Sequence, residues 1–301
     1  MPARREWSLS CLLVLCSACG GALDAGAFHE AAGGGGDGGG AAGGAGASGG
    51  GGGAPTPVGN GTGHVAIRFQ STTAPFDHQD GLAGQTPLSH VSGVRSLRLY
   101  RGSDDPEPVT VFDLGEESVE ISYADGADTL VYDAEIKYVP KATYTLARVV
   151  HSYVRYEIAS TMHVNGAALP GTFDNMQVLS DGSLVDGLVR DHGYFEYVFE
   201  TGAQSYPTSG SNAPVPEWSS SGGLSVSFDA GEWAYWFPTN LPVDPDLDTD
   251  VTLVFQVNMN ESFRWSDQQS PGFSAGVFDT TPTSFEPVEQ FGASSFEIQI
   301  Q

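Results

Sequence analysis

Residues 251–260 read VTLVFQVNMN, with apolar side chains at every second position from Val251 to Met259. Successive side chains of a β-strand point to opposite faces, so this alternation predicts a strand with one buried face and one wet face. Strands with one wet face are typical of antiparallel sheets. The stretch therefore predicts antiparallel β-structure around it.

The same period of two recurs over residues 64–301. It appears in VAIRF (65–69), VEISY (119–123), LVYDAEIKY (130–138), VRYEIASTMHV (154–164), LSVSF (224–228) and FEIQI (296–300). Turn dipeptides such as Asn165-Gly166 and Asp186-Gly187 separate these runs, and no segment has a helical period. We predict an all-β fold, an antiparallel β-sandwich or jelly roll, with a candidate domain boundary at residues 201–223.

The chain begins like a secreted protein. Arg4 and Arg5 precede a short apolar run, which ends in small residues before Cys19, so residues 1–18 are interpreted as a signal peptide. The ending resembles the lipobox of bacterial lipoproteins, and the resemblance implies that Cys19 is lipidated. Gly20 in the next position favours sorting to the outer membrane. All three cysteines lie in this region, so the rest of the chain offers no disulfide and no cysteine nucleophile.

Residues 19–63 are interpreted as the lipidated Cys19 followed by a disordered glycine-rich linker. Runs such as Gly33–Gly36 and Gly49–Gly53 carry almost no apolar bulk, and such a segment cannot bury enough surface to offset its ordering entropy. A flexible coil of this length spans roughly 35 Å. The linker is expected to hold residues 64–301 away from the membrane.

Three segments of the first half resemble the DUF4382 domain of bacterial surface lipoproteins. They are Thr73-Ala74-Pro75, the strand Val94–Tyr100 and the stretch VPKATYTLARV at residues 139–149. The resemblance implies a β-sandwich of unknown role, and it assigns no functional residue.

Charge narrows the classes of partner. With 12 Lys and Arg against 37 Asp and Glu, the net charge is −25. Such a surface repels nucleic acid and anionic lipid headgroups, so no nucleic-acid partner is expected. The expected partners are the membrane, through the lipid anchor, and a polysaccharide or protein ligand.

The densest acidic segment reads DPDLDTD at residues 244–250. Its carboxylates at alternate positions supply oxygen atoms, the ligands that Ca²⁺ prefers, so Ca²⁺ is the candidate cofactor. The candidate metal ligands are Asp244, Asp246, Asp248 and Asp250. The alternative interpretation is a solvated connection before the strand at Val251. A second, shorter candidate for a metal is the loop Asp77-His78-Gln79-Asp80.

The most aromatic segment reads EWAYWFP at residues 232–238. On a strand Trp233 and Tyr235 share one face and Trp236 lies on the other. Exposed aromatic rings stack on sugars, so Trp233, Tyr235 and Trp236 are candidate carbohydrate-stacking residues, with Trp218 and Trp265 on loop-like segments beside them. The alternative is that these rings belong to the core.

No sequence motif singles out a catalytic residue. The chain lacks a G-x-S-x-G elbow, a phosphate-binding glycine loop and paired zinc-type histidines. The leading hypothesis is a non-enzymatic outer-membrane lipoprotein that serves as a binding or structural module. The alternatives are a carbohydrate-binding module, with or without Ca²⁺, and a carbohydrate-active hydrolase.

Overall fold

A computed structural model describes residues 56–202, 204–213, 219–221, 224–268, 272–282 and 284–301. In chain order, the strands of these residues are β1 (His64–Thr72), β2 (Ala83–Gln85), β3 (Ser89–Tyr100), β4 (Val109–Asp113), β5 (Val119–Ser122), β6 (Asp128–Glu135), β7 (Ala142–Val164), β8 (Ala167–Val178), β9 (Ser183–Val185), β10 (Leu188–Arg190), β11 (Phe195–Thr201), β12 (Gln204–Gly210), β13 (Ser219–Ser221), β14 (Leu224–Asp229), β15 (Glu232–Val243), β16 (Val251–Asn258), β17 (Phe263–Trp265), β18 (Asp279–Thr281), β19 (Ser284–Phe285), β20 (Val288–Gln290) and β21 (Ser295–Ile300).

The prediction of an all-β sandwich is confirmed. Within the described residues the only helical element is the 3-10 turn Ile136–Tyr138. None of the helical structure in this part of the chain has the length and apolarity needed to cross a bilayer. The signal peptide, Cys19 and most of the predicted linker lie outside the described residues.

One layer is a four-stranded sheet in the order β21-β16-β1-β6. β1 runs antiparallel to β6 but parallel to β16, so the antiparallel pairing predicted around residues 251–260 is present only on the side of β21. The exception arises because β1 and β16 come from distant parts of the chain and are not joined by a hairpin. The alternation of apolar and polar residues in the sequence determines which side chains of these strands are buried. Val65, Ile67 and Phe69 of β1 are buried, and Leu253 and Phe255 of β16 are buried beside them.

The other layer is a large sheet in the order β12-β11-β8-β7-β15-β14-β13, with β3 also paired to β7. The 23-residue strand β7 is its centre and pairs with β3, β8 and β15. Strands from both sides of residues 201–223, the candidate domain boundary, therefore belong to one sheet.

The apolar core has two large parts and a smaller third cluster of Met176, Val178 and Val185. One part fills the space between the two layers, where Phe237 of β15 lies 4.8 Å from Phe255 of β16 between ring centroids. The other lies along the second half of β7 and is covered by Phe263, Trp265 and Phe278. Trp265 thus lies in strand β17 at 1% exposure, not on the loop expected from the sequence, and Trp218 lies outside the described residues.

Candidate functional site

A pocket lies between the two layers where the two parts of the core meet. The strands of the large sheet form one wall, and β1, β16, β21 and the segment 291–293 form the other. The lining residues are Phe69, His90, Ser92, Tyr123, His151, Val154, Leu179, Trp233, Tyr235, Phe237, Val257, Met259, Phe291, Gly292, Ala293 and Phe296. The cavity is partly open and measures about 50 Å³.

The two walls differ in chemistry. All the hydrogen-bonding side chains of the pocket belong to the wall that carries His90, Ser92, Tyr123 and His151, together with Trp233 and Tyr235. The opposite wall consists of Phe, Val, Met, Ala and Gly residues. None of the described residues that line the pocket is Asp, Glu, Lys or Arg. The pocket is therefore amphipathic and carries no fixed charge.

Two histidines are the distinctive polar groups of this wall. His90 is 7% exposed and His151 is 4% exposed. The His90 ring lies 5.1 Å from that of Tyr123, and the His151 ring lies 5.3 Å from that of Tyr235, as centroid distances. Neither His90 Nδ1 nor His151 Nε2 has a hydrogen-bond partner among the described residues. A buried polar atom without a partner costs about 1–3 kcal/mol, so both nitrogens call for an explanation.

Burial keeps both imidazoles neutral. It lowers the pKa of His90 from 6.5 to about 3, because the charged ring would lose its hydration. It lowers the pKa of His151 to about 3 as well, with a further contribution from the proximity of His90. The same wall raises the pKa of Tyr123 to about 12 by burial, partly offset by its hydrogen bond to Ser92. At neutral pH the polar wall therefore presents uncharged donors and acceptors.

The structure divides the three predicted sugar-stacking residues. Trp233 is 3% exposed and packs against His151, and Tyr235 lies beside it on the same face, with ring centroids 4.7 Å apart. Both rings line the pocket inside the sandwich. Trp236 lies on the outer face of the large sheet, as the period of two requires.

The surroundings of Trp236 are polar and aromatic. Its ring lies 5.1 Å from that of Tyr100, and the Arg148 guanidinium lies 5.6 Å from the Trp236 ring centroid. Its indole N–H donates to Ser227 Oγ at 2.8 Å. Arg148 Nη1 is 2.7 Å from a Glu232 carboxylate oxygen, and Arg95 binds the same carboxylate at 3.3 Å. Two nearly buried arginines thus share one carboxylate beside a partly exposed tryptophan.

The acidic segment 244–250 lies along the chain that precedes β1. Asp246 Oδ1 accepts the Asn60 backbone N–H at 3.1 Å, and Asp250 Oδ1 accepts the His64 backbone N–H at 2.9 Å. Asp244 instead binds Lys141 Nζ at 2.6 Å, and this ion pair lowers the pKa of Asp244. The described part of the predicted linker, residues 56–63, therefore includes a segment bound to the sandwich.

Backbone carbonyls complete this arrangement. Gly61 N donates to Pro245 O at 2.8 Å and Gly63 N donates to Leu247 O at 3.2 Å. With the carboxylate bonds, five consecutive N–H groups, those of residues 60–64, donate to residues 245–250. A Cβ at position 61 would lie 2.2 Å from Leu247 O, so the close approach of the two chains requires glycine there.

The other predicted metal loop also makes protein contacts. Arg264, whose side chain is 3% exposed, binds the Asp80 carboxylate and Leu82 O, and His78 Nε2 lies 3.1 Å from Asn260 O. Across the described part of the chain, no three His, Cys, Asp or Glu side chains form a group that could hold a metal ion. The calcium site at Asp244, Asp246, Asp248 and Asp250 stays a prediction.

Sequence reasoning did not single out His90 or His151. Their signal was present, since each histidine lies within an apolar, alternating strand, where a polar residue on the inner face is unusual. The sequence could not show that the two histidines lie near each other, because His90 is in β3 and His151 is in β7, and only the sheet brings them into one wall. Comparisons with family models, curated proteins and solved structures find no significant match to this chain.

Proposed function

We propose that this chain is an outer-membrane lipoprotein, anchored through Cys19, whose β-sandwich is a non-enzymatic module that binds a small ligand in the pocket. The signal pattern before Cys19 supports the anchor. The observation that carries the binding role is the polar wall, where the buried imidazoles of His90 and His151 line the cavity and each has a ring nitrogen without a partner among the described residues. Buried polar groups in native proteins are normally satisfied, so a ligand that reaches this wall gains their hydrogen bonds.

The rest of the pocket supports a ligand with an apolar body. Phe69, Phe237, Val257 and Phe296 offer apolar contacts from both layers. Pockets for small molecules are mainly apolar and contain a few placed polar groups, and this combination is present here. The partly exposed residues Phe291 and Gly292 lie at the edge, which gives a route of entry.

Nuclear magnetic resonance with simple aromatic probes tests this proposal. Millimolar toluene or phenol should shift the side-chain resonances of Trp233, Tyr235 and Phe296. Met259→Trp fills the pocket from the apolar wall and should abolish the shifts. Leu130→Trp is the matched control, because Leu130 is 46% exposed on β6 and the new ring stays outside. Failure of both probes to shift these resonances in the wild-type chain, or equal shifts in Met259→Trp, would refute the proposal.

A second candidate function is the binding of an acidic polysaccharide on the outer face of the large sheet. The favouring observation is that Trp236 and Tyr100 lie beside Arg148 and Arg95, which have one carboxylate between them. A sugar ring stacks on an aromatic face. Arg95 and Arg148 carry two positive charges against the one charge of Glu232, so a local positive charge next to Trp236 attracts the carboxylate of a uronic acid, although the chain as a whole is acidic. Of the three predicted carbohydrate-stacking residues, Trp236 is the one that this candidate uses, and the sugar that it would bind is anionic.

Affinity gel electrophoresis tests this second candidate. Polygalacturonate in the gel should retard the protein and neutral dextran should not. Trp236→Ala should restore the mobility, whereas Phe228→Ala should not, since Phe228 is 37% exposed but packs against His192 and is in register with Trp233, not with Trp236. Equal retardation of Trp236→Ala and the wild-type chain would exclude this site.

A further inference from the structure

We infer that the pocket selects uncharged ligands that carry a hydroxyl or amide group and present it to the imidazoles of His90 and His151. This inference rests on the proposed function, because it names the class of ligand for the same pocket. It follows from the distribution of polar groups, from the absence of charge among the lining residues and from the size of the cavity.

The distribution of polar groups sets the orientation of the ligand. Hydrogen-bonding groups occupy one wall only, so a ligand with a single polar edge matches the pocket when that edge faces β3 and β7. Ser92 and Tyr123 already bond to each other, with 2.9 Å between their oxygen atoms. The imidazoles of His90 and His151 line the cavity, and each has a ring nitrogen without a partner among the described residues. These two nitrogens are themselves covered, so each ring must turn to present its nitrogen to a ligand, which then gains a hydrogen bond.

The absence of charge sets the protonation state of the ligand. An ionised ligand would leave water without a counter-ion, because none of the described lining residues is acidic or basic. The imidazoles do not supply a positive charge at neutral pH, since burial lowers the pKa of both to about 3. A neutral hydroxyl or amide has no such penalty, and it supplies both a donor and an acceptor.

The cavity volume sets the size of the group that enters. An engineered cavity of about 150 Å³ accommodates benzene, whereas the volume of this cavity is about 50 Å³. A ligand thus inserts only its hydroxyl-bearing end, or a single ring displaces the edge at Phe291 and Gly292. Single-ring probes are the largest that are suited to a first test.

The experiment compares three single-ring probes of similar shape. Phenol carries a hydroxyl, toluene a methyl group in its place, and anisole an oxygen that accepts but does not donate. Dissociation constants from the resonances of Trp233 and Tyr235 should rank phenol about tenfold tighter than toluene, the factor for one buried hydrogen bond. Phenol should also shift the ring ¹⁵N resonances of His90 and His151, whereas toluene should leave them in place.

Two substitutions and a control locate the effect. His90→Phe and His151→Phe keep a ring in the wall and remove its nitrogens. The ratio of the toluene and phenol dissociation constants should therefore fall towards one. His64→Gln should keep the full preference, because His64 is partly exposed at the start of β1 and pairs with Asp133 instead. If either phenylalanine variant fails to fold, the comparison of anisole with phenol on the wild-type chain still measures how much the donated hydrogen bond of the hydroxyl contributes to affinity.

The outcomes separate this inference from the proposed function. Equal affinities for phenol and toluene would overturn the inference, while the pocket would still stand as a binding site. Benzoate binding as tightly as phenol at neutral pH would overturn the requirement for an uncharged ligand. Binding of none of the probes would remove the proposed function itself.

Discussion

Asp248 and Thr62 lie 186 positions apart in the chain and are joined by two hydrogen bonds. Asp248 Oδ1 accepts from the Thr62 backbone N–H at 3.1 Å and from its hydroxyl at 3.0 Å. Asn60 with Asp246 and His64 with Asp250 have the same offset of 186. β1 and β16 continue in this register, so the acidic segment extends a parallel pairing of strands towards the N-terminus by means of side chains.

Removal of the Asp248 carboxylate should weaken the attachment of residues 60–64. We expect Asp248→Ala to lower the free energy of unfolding by about 1 kcal/mol, since two solvent-accessible hydrogen bonds are lost. Asp248→Asn keeps an oxygen acceptor and should cost less. Urea denaturation measures both, and Asp104→Ala is the control, because Asp104 makes only a 3.4 Å contact with Ser103.

The same variants test the calcium prediction. If the carboxylates serve only as backbone acceptors, Ca²⁺ and Mg²⁺ at equal ionic strength should shift Tm equally. A larger rise in Ca²⁺ that Asp248→Asn removes would establish a calcium site in the segment.

Addition of a methyl group at Gly61 should also be costly. A Cβ there would lie 2.2 Å from Leu247 O, and this backbone carbonyl, which accepts the Gly63 N–H, cannot move aside cheaply. We expect Gly61→Ala to destabilise by about 1–3 kcal/mol, the usual range for overpacking. Gly102→Ala is the control because a Cβ there meets nothing within 4 Å. Similar Tm values for the two variants would contradict this close approach.

The protein should lose stability in mild acid through the pocket histidines. Their pKa is about 3 when folded and 6.5 in the reference state, so the unfolded chain binds protons first. Their contribution is complete above pH 6.5 and falls as the pH drops towards 3. Between about pH 7 and about pH 5.5 the pair should lower the free energy of unfolding by on the order of 2–3 kcal/mol.

Urea denaturation at the two pH values measures this loss, and His151→Phe should remove about half of the difference. His64 has the opposite effect on the pH dependence of stability, because its hydrogen bond to Asp133 raises its pKa. The prediction fails if stability is flat over this range in the wild-type chain.

Asp174 should oppose folding at neutral pH. Burial raises its pKa and Arg155 offsets part of this rise, while Glu157, its register partner across β7 and β8, raises the pKa again. A raised carboxyl pKa means that the folded chain disfavours the charged form, so stability falls as the pH rises through that pKa. We expect Asp174→Asn to stabilise by on the order of 0.5 kcal/mol at neutral pH.

Thermal melts of both asparagine variants test this expectation. Asp128→Asn should lower Tm where Asp174→Asn raises it, since Arg68 lowers the pKa of Asp128. If both asparagine variants shift Tm in one direction, the charge argument for Asp174 is wrong.

The proposed anchor predicts a covalent modification. Intact-mass analysis of membrane-extracted protein should show a diacylglyceryl group on Cys19 as the first residue. Cys19→Ala should abolish both cleavage at that site and membrane association. A soluble wild-type form that begins at another residue would contradict the lipoprotein proposal.

The sequence alone determined the class of the fold, because the period of two is a local property of each strand. The alternation of Val251–Met259 placed Leu253 and Phe255 in the core, and the alternation of residues 233–237 placed Trp236 opposite Trp233 and Tyr235. Whether a ring on either face meets solvent depends on the other layer. The sequence therefore could not decide that Trp233 is core and Trp236 is partly exposed.

Tertiary structure decided the register and the site. An offset of 186 residues, which pairs the acidic segment with residues 60–64, has no local signature, because any of the carboxylates could face solvent, a metal or a distant backbone N–H. His90 and His151 likewise become one polar wall only because β3 and β7 are neighbours in the sheet. Burial and desolvation, which give these histidines their chemistry, are properties of the packed layers and not of the residues themselves.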